Sequence, residues 1–306
     1  KRCLCCFGYF LKTNYCIMTN HLIILAGGAS TRMKKPSFSK LPKDLIHQAN
    51  SRSKALIFLN ERPMLDYVLF NAQQAGFQNI YIVIGEEGEL FKTYYGQESA
   101  RNSFHGLSIS YVFQRIPEGR IKPLGTADAV CQSLEQYQEL QENQFVVCNC
   151  DNLYSEKAFN LLRSHKNSNA FINYDRDALE YSQERIERFA LTKVDHNNYL
   201  QDIIEKPSAS ESEKYKDEAG KFRVSMNVFK FNGKAFYPFL KSCVIHPERN
   251  EKELPSALLE MVHAYPTSVV GIPLSEHVPD LTGKDDILIM NEYLAEHPVN
   301  LHWPKK

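Results

Sequence analysis

The segment HLIILAGGASTRM, residues 21–33, constrains the fold of this chain more than any other stretch. An apolar run from Leu22 to Leu25 has the length and composition of a buried strand, and it empties into paired glycines, two hydroxyls and an arginine. Gly27 and Gly28 carry no Cβ, so main-chain N–H groups there can close on an anion and the chain can take positive φ. Ser30 and Thr31 add hydroxyl donors, and the Arg32 guanidinium is a planar fork suited to phosphate oxygens. This is the layout of a strand ending in a phosphate cradle. Paired glycines also make plain tight turns, and the segment lacks both the G-x-G-x-x-G of dinucleotide binders and the G-K-S/T of P-loops.

The segments that follow alternate in type. Residues 34–53 are basic and polar, with Pro36 and Pro42, and read as a mobile flap. Met64, Leu65, Val68, Leu69, Ala72 and Ala75 form the stripe of an amphipathic helix stopped by Gly76. Residues 79–85 and 109–113 read as strands, 126–140 as a helix opening at Thr126, and 145–152 as a strand ending in Asp151. That alternation predicts right-handed βαβ units and a mainly parallel sheet, in which ligands sit beyond the carboxyl ends of the strands. The loop at 26–33 and the tip at Asp151 are two such ends. In the second half, 189–194 and 199–207 read as paired strands and 208–221 as a charged, exposed excursion. A strand at 224–231, helices near 233–242 and 254–264, a strand at 268–274 and a closing helix at 283–296 complete the reading.

Charge excludes some partners. Lysine plus arginine equals aspartate plus glutamate, 36 each, so no bulk field favours nucleic acid or an anionic membrane, and phosphate chemistry has to come from a local site. No apolar run is long enough to span a bilayer. Residues 1–17 are rich in cysteine and aromatics and read as a non-native or disordered tail ahead of Met18, with residues 18–306 as a single catalytic domain. Cys3 and Cys6 form a lone C-x-x-C with no second pair, which argues against zinc. Cys131, Cys148, Cys150 and Cys243 fall in apolar stretches and read as reduced, buried thiols, which fits a cytoplasmic location. None of the ten histidines lies in a pattern of catalytic or ligand spacing, and there are no internal repeats.

Six ordered motifs resemble the nucleotidyltransferases that join a nucleoside triphosphate to a sugar 1-phosphate, the nucleoside-diphosphate-sugar pyrophosphorylases. They are the glycine loop, Lys54 in SKALIFLNERPML, QRIPEGRIKPLGTADAV at 114–130, FVVCNCDN at 145–152, IIEKP ending at Pro207, and PDLTGKDDILIMNEYL from Pro279. The resemblance implies a three-layer, Rossmann-like α/β fold with a mainly parallel central mixed sheet. It implies an enzyme that uses Mg²⁺ and takes a nucleoside triphosphate, UTP or dTTP by preference, and a sugar 1-phosphate, with no nucleic acid or membrane partner and room for a homo-oligomer. By the same resemblance Gly27, Gly28, Ser30 and Thr31 cradle the triphosphate, while Arg32 and Lys54 neutralise charge at the α-phosphorus. Gln114 pairs with the pyrimidine edge, Gly119 lets the base lie on the backbone, and Gly125 and Thr126 open the next helix. Asp151 and Asp280 hold the metal, since magnesium prefers one or two carboxylates plus substrate phosphates. Glu205 accepts from sugar hydroxyls, Lys206 holds the sugar phosphate, and Asn227 contacts the sugar.

Each assignment has a plainer counterpart. Asp151 could cap the helix from residue 155, and Thr282 with Asp285 reads as an ordinary helix start. Residues 114–125 could be a surface loop punctuated by Pro117 and Pro123. Ser30 stands where sugar nucleotidyltransferases usually have glycine, Cys150 replaces a small residue before Asp151, and Val278 stands where an aromatic is usual. Serine at that loop position is also seen in cytidylyltransferases of small alcohols. A cytidylyltransferase acting on a non-sugar phosphate, a glycosyltransferase of similar fold and a non-catalytic nucleotide-binding protein therefore stand as alternatives. The Asp-x-Asp expected of a glycosyltransferase is missing from residues 149–153.

Overall fold

The computed structural model describes residues 18–28, 30–36, 40–85, 88–97, 102–205 and 207–304; nothing below concerns the others, and the tail expected at 1–17 lies outside them. In chain order the strands are β1 (His21–Leu25), β2 (Phe58–Leu59), β3 (Arg62–Pro63), β4 (Asn79–Ile84), β5 (Asn102–Phe104), β6 (Leu107–Phe113) and β7 (Gln144–Asn149). They continue with β8 (Ala170–Asp175), β9 (Leu191–Val194), β10 (Leu200–Ile204), β11 (Arg223–Val224), β12 (Phe229–Asn232) and β13 (Val270–Leu274). Apart from the β2–β3 ribbon they form one sheet in the order β10-β9-β11-β8-β12-β7-β1-β4-β6-β5, with β13 against β8.

The parallel ladders are the long ones. β1 runs parallel to β4 and β7, β4 to β6, and β8 to β13, each over five or six residue pairs. No antiparallel ladder exceeds four. Strands buried on both faces read as near-continuous apolar runs, which is why IYIVI in β4 shows no polar alternation, while β8 is buried throughout with Asn173 and Asp175 inside its run. Successive side chains nevertheless part company: Leu22 and Ile24 pack on one face with the helices Met64–Gln74, Glu156–Ser164 and Asp286–Glu296. Ile23 packs on the other face with the helices Thr126–Gln136, Gly233–Ser242 and Leu254–Ala264. Period-2 strands between two helical layers give the three-layer α/β architecture that the motif order implied.

This topology places the site. The chain steps from β1 to β4 and β6 on one side, then returns to β7 on the other. Loops leaving β1 and β7 therefore diverge and open a crevice at their carboxyl ends. β12 enters antiparallel beside β7, pairing Phe229 with Val147, so residues 225–228 also sit at that end.

Local departures from the sequence reading have physical causes. Residues 43–51 form a helix inside the expected flap, since Pro42 suits a helix start and Leu45, Ile46 and Ala49 face the core. The strand expected at 224–231 breaks into β11 and β12, because Met226 and Asn227 both take left-handed φ, 45° and 56°. Two carbonyls there, those of Met226 and Asn227, accept from the buried Tyr154 hydroxyl at 2.7 and 3.4 Å. Within the charged excursion Tyr215 is buried and donates to Asp202. Cys131, Cys148, Cys150 and Cys243 are buried free thiols, as expected. Among the described residues no helix is long and apolar enough to cross a membrane.

Candidate active site

A cleft of about 330 Å³ opens where β1 and β7 part. Its walls include Gly27, Gly28, Ser30, Thr31 and Arg32 from the glycine loop, Lys54, Gln114, Gly125 and Thr126, and Asp151. Segments far apart in the chain thus supply one cavity.

The glycine loop leaves β1 at Ala26, whose N–H donates to Val83 on β4 at 3.0 Å. A Cβ on Gly27 would lie 3.3 Å from Gln114 Oε1 and 3.4 Å from the Ile84 carbonyl carbon, so the first glycine serves packing against β4 and Gln114. Gly28 faces open space. Ser30 holds φ 51°, a left-handed conformation that explains why glycine is usual at this position. The Met33 N–H donates to the Ser30 carbonyl at 3.0 Å, closing the turn that carries Thr31 and the exposed Arg32.

Gln114 follows β6 and is 5% exposed. Its Nε2 donates to the Gly125 carbonyl and to Asp128 Oδ2, both at 3.0 Å. A carbonyl and a carboxylate can only accept, so the amide orientation is fixed and Oε1 is left as the acceptor. Gly125 needs to be glycine: its φ is +117°, and a Cβ would fall 2.4 Å from the Lys252 carbonyl oxygen. The Lys252 carbonyl accepts from Ala127 N at 3.0 Å, and Thr126 Oγ1 accepts from Leu254 N at 2.9 Å. Thr126 therefore ties down the start of the 254–264 helix while lining the cleft.

Asp151 lies just beyond β7 and forms an ion pair with Lys54, Nζ to Oδ2 at 2.6 Å. The two side chains are 11% and 19% exposed. Lys54 begins a buried one-turn helix, Lys54–Leu56, and the preceding Ser53 hydroxyl donates to the Ala26 carbonyl at 3.2 Å. The lysine is thereby fastened to the root of the glycine loop. Asp151 does not cap the helix that follows; Ser155 does, accepting from Ala158 N at 3.0 Å. Burial pushes the Asp151 carboxyl above the usual carboxylate range, Lys54 opposes that shift, and the nearby charge of Asp280 adds to it.

A backbone bridge pairs Asn152 with Asp280, and Leu281 N donates to the Asp151 carbonyl at 2.8 Å. Leu153 N also donates to the Pro279 carbonyl at 2.8 Å, so main chain ties together two segments whose carboxylates lie 129 residues apart in sequence. Asp280 Oδ2 accepts from Arg185 at 2.9 Å and from Thr282 Oγ1 at 2.6 Å. The same arginine reaches Asp286 Oδ1 at 2.6 Å. Thr282 therefore serves Asp280, and it is Asp286 that accepts from Gly283 N at 2.6 Å before the last helix. Arg185 is a site residue with no motif signal in the sequence.

The donor set suits a hard divalent cation. Asp151 and Asp280 each give Oδ2 to a cationic side chain, and among the described residues the Oδ1 of each takes no hydrogen bond from another residue. Their mutual repulsion is the kind that a bound cation relieves.

The remaining expected residues are dispersed. Gly119 occupies an exposed turn, with φ +80°, and does not line the cleft. Glu205, after β10, is ion-paired to Arg249, which also holds Glu253 at 2.5 Å. Asn227 sits in the left-handed break before β12. Lys206 lies outside the described residues. Lys122, which lies within the 114–130 motif but carried no assigned role, and Glu251, which lies outside every motif, also line the cleft.

Residues 21–270 match the profile described as Nucleotidyl transferase. The bifunctional protein GlmU of Staphylococcus epidermidis is 25% identical over 278 residues, covering 90% of this chain and 52% of that protein. GlmU of Staphylococcus carnosus is 26% identical over 243 residues, covering 79% of this chain and 44% of that protein. The chain thus spans about half the length of these relatives. A crystal structure of UDP-glucose pyrophosphorylase complexed with UDP-glucose superposes with a TM-score of 0.65 at 14% identity, over 92% of this chain and all of that one, and shares the fold. The sequence match runs from the first residue of β1 to the first residue of β13, through both strands that frame the cleft, and the chain belongs to the nucleotidyl transferase family.

Proposed function

We propose that this chain transfers a nucleotidyl group from a nucleoside triphosphate, UTP or dTTP by preference, to a sugar 1-phosphate, releasing pyrophosphate. The observation that carries the proposal is the single cleft that gathers the glycine loop, Lys54, Gln114 and Asp151. An oxygen of the sugar 1-phosphate attacks the α-phosphorus in line; the bond from that phosphorus to the bridging oxygen breaks, and pyrophosphate leaves. No covalent enzyme intermediate is needed, because positioning and charge neutralisation are sufficient for this class of reaction.

The Gly27–Arg32 loop would take the triphosphate on its N–H groups and hydroxyls, with Arg32 and Lys54 as the cations. Asp151 and Asp280 would hold Mg²⁺, which supplies charge neutralisation to the phosphates when bound. Lys54 would turn part of its charge from Asp151 to the nucleotide. Glu205 would accept from sugar hydroxyls, Lys206 would hold the sugar phosphate and Asn227 would contact the sugar. Gln114 supports the base preference: a fixed Oε1 acceptor suits a ring N–H, which uracil, thymine and guanine have and cytosine and adenine lack. The structural neighbour complexed with UDP-glucose supports a uridylyl reading. A cytidylyltransferase is the second reading, favoured by the serine at position 30.

The test is pyrophosphate release with and without Mg²⁺ across UTP, dTTP, GTP, CTP and ATP, each with a panel of sugar 1-phosphates. Turnover with UTP or dTTP and a sugar 1-phosphate is expected. Turnover confined to CTP and a non-sugar phosphate would install the second reading. Triphosphate binding by folded protein with no pyrophosphate from any pair would make the chain a nucleotide-binding regulator.

A further inference from the structure

We infer that Arg185 is a positioning residue for the metal site, one that turns a single oxygen of Asp280 toward Asp151. The inference rests on the metal assignment proposed above and extends it to a residue outside every motif. Arg185 lies on the one-turn helix Gln183–Ile186, far in sequence from both carboxylates. Its Nη2 donates to Asp280 Oδ2 at 2.9 Å, to the Asp280 carbonyl at 3.0 Å and to Thr282 Oγ1 at 3.3 Å. Its Nη1 donates to Asp286 Oδ1 at 2.6 Å. The guanidinium therefore grips both the side chain and the main chain of one residue, while its other arm anchors the start of the last helix.

Arg185 is itself held. Its guanidinium carbon lies 4.4 Å from the centre of the Tyr181 ring, and the Tyr181 hydroxyl donates to the Val278 carbonyl at 2.5 Å. The ring backs the fork, and the Val278 contact holds the loop that carries Asp280. Two donors, Arg185 and Thr282, converge on Oδ2 alone, so the carboxylate cannot rotate without losing both. Oδ1 is the oxygen left to face a cation. A ligand oriented from behind in this way binds metal more tightly than one free to turn, and removal of such a partner typically lowers metal affinity about 10- to 100-fold.

The experiment is Mn²⁺ titration of the full chain, followed by the electron paramagnetic resonance signal of the free ion, with and without α,β-methylene UTP. Arg185→Ala is expected to weaken Mn²⁺ binding about 10- to 100-fold, and Thr282→Val by a smaller factor in the same direction. Arg185→Lys should weaken it too, because an ammonium cannot bridge Asp280 and Asp286. Binding of the nucleotide analogue in EDTA should stay within twofold for all three. Wild-type Mn²⁺ affinity in folded Arg185→Ala would overturn the inference; should that variant not fold, wild-type affinity in both Arg185→Lys and Thr282→Val would do the same. Asp151→Asn and Asp280→Asn separate the two claims. If neither of them weakens Mn²⁺ binding, the metal assignment itself is wrong.

Discussion

Two ion pairs stand at the centre of this molecule, and they are built differently. Lys54–Asp151 joins the root of the glycine loop to the tip of β7, with a point charge on one oxygen. Arg185–Asp280 joins a one-turn helix to a late loop, with a fork that also holds Asp286 and the Asp280 main chain. A flexible ammonium can move to an incoming phosphate at the loss of one contact. A guanidinium held by four acceptors and a ring cannot. The difference assigns labour: the lysine side is arranged to respond to substrate and the arginine side to stay fixed.

The sharpest way to break that comparison is to remove its shared centre. Asp151→Asn should lower turnover by roughly 10³-fold while the thermal transition persists, since charge at the reacting phosphates is the main source of rate. Near-normal turnover would place the metal elsewhere. Lys54→Ala comes next and should act on stability as well as turnover, at about 3 kcal/mol near pH 7.5, because it strands a carboxylate that is 19% exposed. The sign with pH follows from the raised Asp151 carboxyl. Without Lys54 its proton is held still more strongly, so as pH falls Asp151 takes that proton, the unpaired charge disappears, and the stability gap from wild type narrows. Urea unfolding at pH 7.5 and 5.0 reads this directly, and a gap that widens at low pH would contradict it.

Gly125→Ala tests the nucleotide side without touching either pair. A Cβ 2.4 Å from the Lys252 carbonyl at φ +117° should destabilise the fold by about 3 kcal/mol and loosen the seat of Gln114, blurring the choice between UTP and CTP. Intact stability would mean that residues 246–254 can retreat. Ser30→Gly should do least. Relief of the left-handed serine, about 1 kcal/mol, is opposed by a similar gain in unfolded-chain entropy, so stability should barely move. Turnover should fall by no more than about tenfold, the loss of one neutral hydroxyl contact to phosphate, and unchanged turnover would leave the cradle to the N–H groups and Thr31.

The two pairs also differ in how far they could be read. Lys54 and Asp151 stand at fixed intervals after a glycine loop and at a strand tip, and the strands around them announce themselves as apolar runs. Asp280 was legible from its motif, whereas Arg185 looks like any charged residue of an irregular segment. β8 passed unread although it is fully buried, because AFINYD mixes polar side chains into its run. The β11–β12 break was invisible as well: Asn tolerates the left-handed region but Met226 does not favour it, and the Tyr154 hydroxyl that bonds both carbonyls lies 72 residues away in sequence.

By itself the sequence determined the period-2 and period-3.6 elements, their alternation, and the short motifs that need a particular residue, such as glycines at a cradle and a carboxylate at a strand end. These are local properties, carried by a few neighbouring side chains. Only the tertiary structure decided which oxygen of each carboxylate is held, that the Thr126 oxygen accepts from a helix start across the cleft wall, and that an arginine at 185 faces an aspartate at 280. Those choices depend on where β-strand order folds back on itself, and that order is set by packing over the whole chain rather than by any window of it.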